Sequence, residues 1–230
     1  MAYYPAFLDL RGRLVLVVGG GQVAARKVSS LLAAGARVRL VAPHLGDECA
    51  ELARRPEVEH LPRGFQPRDL QGVWLAVSAT DRPEVNRAVA RAAEAEGVFV
   101  NVVDVPELCS FIVPAVVRRG ELALAVSTGG AAPAVARRLR RRLEEEFGPA
   151  WEPYLRLLRA LRRRLLAEVD DPAARRERFH ALAESELRER VAEGDAAGVD
   201  AVLARVLGRG WSLGALGWGA EELAPREGRP

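Results

Sequence analysis

The residues with the clearest chemical meaning are three consecutive glycines that come between an apolar run and a stretch favouring a helix. The segment reads Gly19-Gly20-Gly21-Gln22-Val23-Ala24 and directly follows Leu14–Val18. This G-x-G-x-x-A pattern is typical of the turn that holds a dinucleotide pyrophosphate. Gly19 allows the tight turn, Gly21 lets the backbone approach the phosphates, and the free N–H groups of the helix attract the anion. A tight turn that binds nothing is the alternative.

Polar residues come directly after three of the predicted strands. His44 follows Pro43 after the second strand, Thr80 and Asp81 follow the fourth, and Asp104 follows the fifth. Ligands of open parallel sheets bind beyond the carboxyl ends of the strands, which makes these residues candidates. Asp81 is interpreted as a helix N-cap and Thr80 as a cofactor contact. Asp104 is interpreted as a partly desolvated carboxylate suited to act as a base, or alternatively as a turn-forming aspartate.

The acidic residue that usually binds the ribose of a dinucleotide is missing from the end of the second strand. The chain has Pro43 and His44 at that point, with Arg39 nearby. Because Arg39 is nearby, binding of a phosphorylated cofactor is still possible. His44 either contacts the adenosine side of the cofactor or has no role. These residues alone do not distinguish NAD from NADP.

Five arginines cluster between Arg137 and Arg142 and are followed by three glutamates. They indicate either a solvated helix with acid–base pairs or an electropositive wall for an anionic ligand. Just before them, Ser127, Thr128 and Gly129 form a polar segment that could donate backbone N–H groups to the same ligand, or act as an N-cap loop. A nucleic-acid partner is not expected, because the net charge is only +3 and stacking aromatic residues are missing from the basic run.

Several classes of protein are not indicated by the composition. No apolar run reaches the roughly 18 residues that a membrane span needs, and the first residues do not resemble a secretory signal. Cys49 and Cys109 are widely separated and are interpreted as unpaired, and the three histidines form no cluster typical of a resident metal. A cytoplasmic location is therefore expected.

The elements that must position these residues alternate between strand and helix over about the first hundred residues. Strands are predicted at 14–18, 38–42, 58–61, 73–79 and 98–103, with helices at 22–34, 47–55 and 81–96. Such a pattern predicts an α/β fold with a Rossmann-like, doubly wound parallel sheet.

The pattern changes after Pro106. Apolar runs at 111–117 and 122–126 predict a hairpin, and helices are predicted at 133–147, 154–169, 172–193 and 199–207. We expect a nucleotide-binding domain over residues 1–113, a small α+β segment over 114–149, and a helical domain over 150–230. The tail from Gly208 is expected to be partly disordered, ending in a flexible segment, with Trp211 and Trp218 docked on the helical body.

A wider set of residues supports a family resemblance. These residues are Gly19-Gly20-Gly21 with Val23-Ala24 and Arg26-Lys27, Ser78-Ala79-Thr80-Asp81, Asn86, Asn101-Val102-Val103-Asp104, Ser110-Phe111-Ile112-Val113-Pro114-Ala115, and Ala125-Val126-Ser127-Thr128-Gly129-Gly130 with Pro133. In order and spacing the chain resembles the siroheme synthase family from about residue 7 to residue 143. More narrowly, it resembles the precorrin-2 dehydrogenase and sirohydrochlorin ferrochelatase module, in the stand-alone form without a methyltransferase domain.

The resemblance implies a homodimer that uses NAD to oxidise precorrin-2 to sirohydrochlorin, with residues 114–149 making the dimer contacts. It places the family's key aspartate at Asp104 and cofactor contacts at Gln22, Val23, Pro43 and His44. A hydroxyl residue near the substrate maps onto Thr128. In several members the same cleft inserts ferrous iron.

The implied substrate fits the residues, because arginines such as Arg137, Arg138, Arg118 and Arg119 can bind its rim carboxylates. Whether iron is inserted, and which metal it would be, is left open by the sequence. The role of residues 151–230 is also left open. A tetrapyrrole- or nucleotide-binding partner protein without catalysis is the alternative function.

Overall fold

The computed structural model describes residues 3–226. The chain divides into two compact units. The first runs to Val113 and includes Gly129–Ala132, and the second comprises Pro114–Thr128 and the chain from Pro133 onward.

The first unit is built on a parallel sheet of five strands in the order β3-β2-β1-β4-β5. The strands are β1 (Leu14–Val18), β2 (Arg37–Val41), β3 (Val58–Leu61), β4 (Leu75–Ser78) and β5 (Phe99–Val102). Strands β1 and β4 are neighbours although two strands separate them along the chain. The order therefore reverses between them, which is where open α/β sheets form a ligand crevice.

Helices cover both faces of this sheet. They are α1 (Gln22–Ala33), α2 (Asp47–Ala53) and α3 (Pro83–Ala95). Alternate residues of β1 enter different cores: Val15 and Val17 pack with Val28 of α1, whereas Leu16 packs with Val89 of α3. A strand buried on both faces must be apolar throughout, which explains the continuous apolar run of β1. The predicted doubly wound, Rossmann-like α/β fold is confirmed.

The second unit begins with an antiparallel hairpin of β6 (Ala115–Arg119) and β7 (Leu122–Val126). The predicted first strand, 111–117, was placed too early. Phe111 belongs to the first unit instead, where its carbonyl accepts a hydrogen bond of 3.1 Å from the Asn101 amide. The apolar run thus spans the boundary between two units, and pattern alone could not divide it.

Five helices complete the second unit. They are α4 (Pro133–Glu146), α5 (Trp151–Glu168), α6 (Pro172–Glu184), α7 (Leu187–Glu193) and α8 (Ala196–Leu207). The single helix predicted over 172–193 was wrong. The Ser185 hydroxyl donates to the Leu182 carbonyl (2.7 Å) and accepts from the Leu187 amide (3.3 Å). These side-chain bonds compete with the helical ladder and separate α6 from α7.

The chain after α8 packs on the helical body through residue 226. Trp211, Leu213 and Leu223 are buried in the same core as α5 and α8, and Trp218 packs against it. Docking of the tryptophans is thereby confirmed. Over residues 208–226 the expectation of partial disorder is not met, and the final residues 227–230 of the expected flexible tail lie outside the described part of the chain. Within residues 3–226, the helices lack the combination of length and apolar character that crossing a membrane requires.

A buried ion pair in the first unit leads to a stability prediction. Asp69 is 2% exposed and accepts hydrogen bonds from both terminal nitrogens of Arg63, at 2.6 and 2.8 Å, and from the Gln66 amide at 2.8 Å. Burial acts to raise the pKa of Asp69, but these hydrogen bonds outweigh it and hold the pKa below its usual value. The charged form is therefore favoured in the folded state.

We expect Asp69→Asn to lower the free energy of unfolding by about 2 kcal/mol at pH 7. A carboxylate whose pKa is lowered by folding stabilises the protein above its unfolded pKa of about 3.9, and that stabilisation is lost as pH falls through the folded pKa. The difference between the two proteins should thus shrink in acid. Urea unfolding at pH 7 and pH 3 measures it, with Glu51→Gln as control, because Glu51 forms an exposed pair with Arg54. An equal loss for both variants contradicts the prediction.

Candidate active site

The first two glycines of the turn lie against neighbouring backbone. A Cβ added to Gly19 would lie 2.3 Å from the carbonyl oxygen of Ala79, which follows β4. One added to Gly20 would lie 2.1 Å from the carbonyl oxygen of His44, which follows β2. The turn is therefore pressed between the ends of the two strands that flank β1, and only glycine fits at either position.

Gly21 has a different environment. It is the N-cap of α1 with an extended backbone, and an added Cβ would meet nothing within 4 Å. The helix has no side-chain cap and no acidic residue in its first turn. Its first N–H groups are thus open to an external anion, and the positive end of the helix dipole favours one. This open cradle beside Gln22 and Val23 fits a dinucleotide pyrophosphate.

The end of β2 contributes Pro43 and His44, which are exposed beside the turn. Arg39 lies further back in the strand, and its guanidinium is engaged by Glu59 at 2.9 Å and by the Asp69 carbonyl at 3.0 Å. Those contacts hold Arg39 in place, so it is not available to bind a phosphorylated ribose. The nearby Arg39 was the sequence feature that made a phosphorylated cofactor possible, and the structure does not support that role for it.

The end of β4 is fixed by a short buried network. The Ser78 hydroxyl donates to the Asn86 side chain at 2.7 Å, and the Asn86 amide donates to the Thr80 carbonyl at 3.1 Å. The predicted N-cap at Asp81 was wrong, because α3 has Arg82 as its N-cap and the Thr80 hydroxyl accepts the Arg82 N–H at 3.2 Å. Thr80 therefore lies next to the glycine turn with its hydroxyl already accepting a local hydrogen bond.

Asp104 lies in a tight turn directly after β5. The Val105 amide donates to the Val102 carbonyl at 3.2 Å, and the Val103 amide donates to Ser78 of the neighbouring strand at 2.9 Å. Asp104 has φ of 60°, and among residues 3–226 it is the only residue other than glycine with a positive φ. It therefore occupies a turn position that favours glycine, at a cost of about 1 kcal/mol. Such strain is typical of residues held in place for function.

The Asp104 side chain is exposed, so the expected partial desolvation is wrong. Within residues 3–226 its carboxylate forms no hydrogen bond or ion pair. The nearby cation is Lys27, a half-buried residue of α1. Burial lowers the pKa of Lys27, and the negative charge of Asp104 opposes that shift. The helix that starts at the glycine turn thus brings a lysine close to the acid. Sequence reasoning missed this arrangement, although Lys27 comes only three residues after the glycine motif.

The predicted substrate-binding residues fall mainly in the second unit. Arg137 and Arg138 of α4 are exposed, and Arg137 lines a depression of about 400 Å³. Arg140 forms an ion pair with Glu144, as the solvated-helix interpretation expects. Arg119 is not available for a ligand, because it donates to the Glu144 carbonyl at 3.2 Å.

The residues of the polar segment before α4 are divided between the two units. Ser127 and Thr128 belong to the second unit, and Gly129 belongs to the first. Gly129 and Gly130 have φ of 62° and 88°, so the chain turns sharply here. The first unit thus brings together the glycine turn, His44, Thr80 and Asp104, and most of the predicted substrate contacts belong to the other unit.

Comparison with known proteins gives concordant matches to both units. Residues 6–115 match the family model described as putative NAD(P)-binding, and residues 119–146 match the one described as sirohaem biosynthesis protein central. Siroheme synthase of Chromobacterium violaceum is 44% identical over 210 residues, covering 91% of this chain and 45% of the relative. The chain is thus homologous to siroheme synthases over most of its length. Its glycine turn and Asp104 lie in the first matched segment, and Arg137 and Arg138 lie in the second.

Two further relatives define the extent of the likeness. Siroheme synthase of Methylobacillus flagellatus is 51% identical over 144 residues, which is 63% of this chain and 31% of the relative. The solved structure titled SirC, precorrin-2 dehydrogenase, is 26% identical, with a TM-score of 0.73, and covers 89% of this chain and 99% of its own. The chain therefore spans less than half the length of these siroheme synthases, but nearly all of the SirC structure.

The open space at Gly21 leads to a prediction that separates cofactor binding from folding. Gly21→Val should leave the free energy of unfolding within about 1 kcal/mol, because a Cβ at this position has open space around it. It should weaken NAD binding at least about tenfold, since the side chain fills the approach to the pyrophosphate. Calorimetric titration with NAD measures this. Gly64→Val is the control, because Gly64 also has open space and no positive φ. Unchanged affinity in the Gly21 variant contradicts the assigned cradle.

Proposed function

We propose that the chain is an NAD-dependent dehydrogenase that oxidises precorrin-2 to sirohydrochlorin in siroheme biosynthesis. The observation that carries the proposal is the position of Asp104. Its turn is hydrogen-bonded to Ser78, and Ala79 contacts the glycine turn that fits a dinucleotide. An acid thus lies at the carboxyl ends of the strands, where the cofactor cradle also lies. The likeness to the structure titled precorrin-2 dehydrogenase supports the same activity.

The cofactor contacts follow from the geometry of the glycine turn. The first N–H groups of α1, including those of Gln22 and Val23, hold the pyrophosphate. Gly19 allows the tight turn, and Gly21 leaves room for the phosphates. Pro43 and His44 lie on the adenosine side, and Thr80 lies at the end of the next strand. When bound, NAD supplies the acceptor for a hydride. Arg39 is engaged elsewhere, which favours NAD over its phosphorylated form.

Asp104 acts on the proton that accompanies the hydride. Precorrin-2 loses two electrons and two hydrogens in the reaction, one hydrogen as hydride and the other as a proton. Loss of the hydride leaves a positively charged conjugated system. The Asp104 carboxylate stabilises that charge and accepts the proton. Its lack of a hydrogen-bond partner among the described residues leaves its lone pairs available.

The carboxylates around the rim of a tetrapyrrole require cationic partners. Arg137 and Arg138 are exposed on α4 and can bind carboxylates in a bidentate manner. Ser127, Thr128 and Gly129 precede the same helix and supply further polar contacts. We assign these five residues to substrate binding.

We further propose a homodimer formed through residues 114–149, with the helical residues 150–230 as the part of the same unit that has a core of its own. Val135 and Leu139 support it, because they are 49% and 42% exposed and lie one turn apart on α4. An exposed apolar stripe on a helix is typical of a contact surface. The cytoplasmic location and insertion of ferrous iron as a second substrate stay predictions. For iron insertion, Asp104 would accept the pyrrole N–H protons.

One anaerobic assay tests the proposal. Purified protein is mixed with precorrin-2 and NAD, and NADH and sirohydrochlorin absorbance are followed before ferrous iron is added to the same cuvette. We expect NADH and sirohydrochlorin to appear in equal amounts. Folded protein that binds both ligands without forming NADH contradicts the proposal and favours a non-catalytic binding partner. A further spectral change on adding iron, beyond that of a protein-free sample, identifies chelatase activity.

A further inference from the structure

Strand β5 is the edge of the parallel sheet, and a returning segment of chain satisfies its outer backbone groups. The Ser110 hydroxyl accepts the Val100 N–H at 2.8 Å, and the Ser110 amide donates to the Val100 carbonyl at 2.9 Å. The Cys109 sulfur accepts the Val102 N–H at 3.1 Å. The backbone and side chains of the returning segment thus take the place of a sixth strand, which also protects the edge from pairing with another chain.

The Cys109 thiol makes more contacts than capping the edge requires. Besides accepting from the Val102 amide, its sulfur lies 3.2 Å from the Val102 carbonyl oxygen and 3.4 Å from that of Val105. Val102 and Val105 are the first and last residues of the turn that contains Asp104. One thiol therefore contacts both ends of this turn. Because it carries a single hydrogen, it donates to one of the two carbonyls at a time.

The turn needs such an external contact. Asp104 occupies the position with positive φ, which an aspartate adopts less readily than a glycine. A strained backbone persists only where its surroundings hold it. The Asp104 side chain contributes no hydrogen bond of its own within the described chain. Burial raises the pKa of Cys109, so the thiol keeps the hydrogen that it donates.

We propose that Cys109 is a positioning residue for Asp104. It holds both ends of the turn, so that the carboxylate lies at the carboxyl ends of the strands, where the cofactor cradle is. The inference rests on the proposed function, because the position of Asp104 matters for turnover only if Asp104 acts on the substrate. Cys109 does not take part in the reaction itself. Its effect is on the geometry of another residue.

Kinetics of three variants test the proposal. Cys109→Ala removes the thiol, and we expect kcat to fall about tenfold to a hundredfold with KM for NAD unchanged, because a displacement of the acid near 1 Å has effects of this size. Cys109→Ser should recover most of the loss, since a hydroxyl donates and accepts in the same place. Ser110→Ala is the matched control, because the Ser110 hydroxyl accepts the N–H of Val100 as the Cys109 sulfur accepts that of Val102. It should lower stability and leave kcat unchanged.

A readout that needs no substrate separates failure of this inference from failure of the proposed function. In Cys109→Ala, the Val102 amide should exchange with solvent faster, and the backbone chemical shifts of Asp104 should move away from those of a residue with positive φ. In Ser110→Ala both should stay as in the wild type. Unchanged Asp104 shifts in Cys109→Ala overturn the proposal, as does an equal loss of kcat in the two alanine variants. If the wild type does not oxidise precorrin-2, the proposed function fails, and the shifts still decide whether Cys109 holds the turn.

Discussion

Replacing Asp104 with alanine is expected to lower turnover of precorrin-2 by about 10²- to 10⁴-fold while NAD still binds. The carboxylate is the group to which we assign the proton, and the substitution leaves the glycine cradle unchanged. Single-turnover mixing of the NAD-loaded variant with precorrin-2 measures the loss, and an NAD titration checks the cofactor site. Turnover within a few-fold of the wild type would remove Asp104 from the mechanism.

Two companion variants sharpen the result for Asp104. Asp104→Asn keeps the shape and tolerates positive φ, so any loss of turnover reports the missing negative charge and proton acceptor rather than a change of shape. Asp104→Gly relieves the strained backbone at φ of 60°, and we expect it to be no less stable than the wild type although it is inactive. A clear loss of stability in the glycine variant would show that the aspartate is retained for folding instead.

Gly19→Ala is expected to cost about 3–5 kcal/mol of folding free energy or to prevent folding. Its Cβ would lie 2.3 Å from the Ala79 carbonyl oxygen, and the residue has φ of 126°, which alanine rarely adopts. Both obstacles are backbone, so no side chain can move aside. Urea unfolding gives the value, or the fraction of protein that remains folded if it is too unstable to purify. Gly21→Ala is the control within the same turn, and equal unfolding midpoints for the two variants contradict this account.

The sequence predicted those features of the fold that depend on neighbouring residues. The strand at Leu14–Val18 was predicted to the residue, because a strand buried on both faces must be continuously apolar. The turn at Gly19 was predicted because a sharp strand-to-helix connection needs glycine. Ser185 divided a predicted helix through local side-chain bonds, which the apolar periodicity used for the prediction does not record. A residue distant in the sequence decided another feature, because Arg39 is engaged by Glu59, which only the pairing of β2 with β3 brings next to it.

Some features of the candidate site could likewise be predicted from the sequence, and others could not. The glycine cradle and the acid after β5 can both be predicted from the sequence, since local residue types and spacing indicate them. How that acid is held depends on tertiary contacts. The structure shows Asp104 to be exposed and strained, with its turn contacted by Cys109 and with Lys27 nearby. These contacts join a helix, an edge strand and a returning loop, and no periodicity within one segment records which partners folding will bring together.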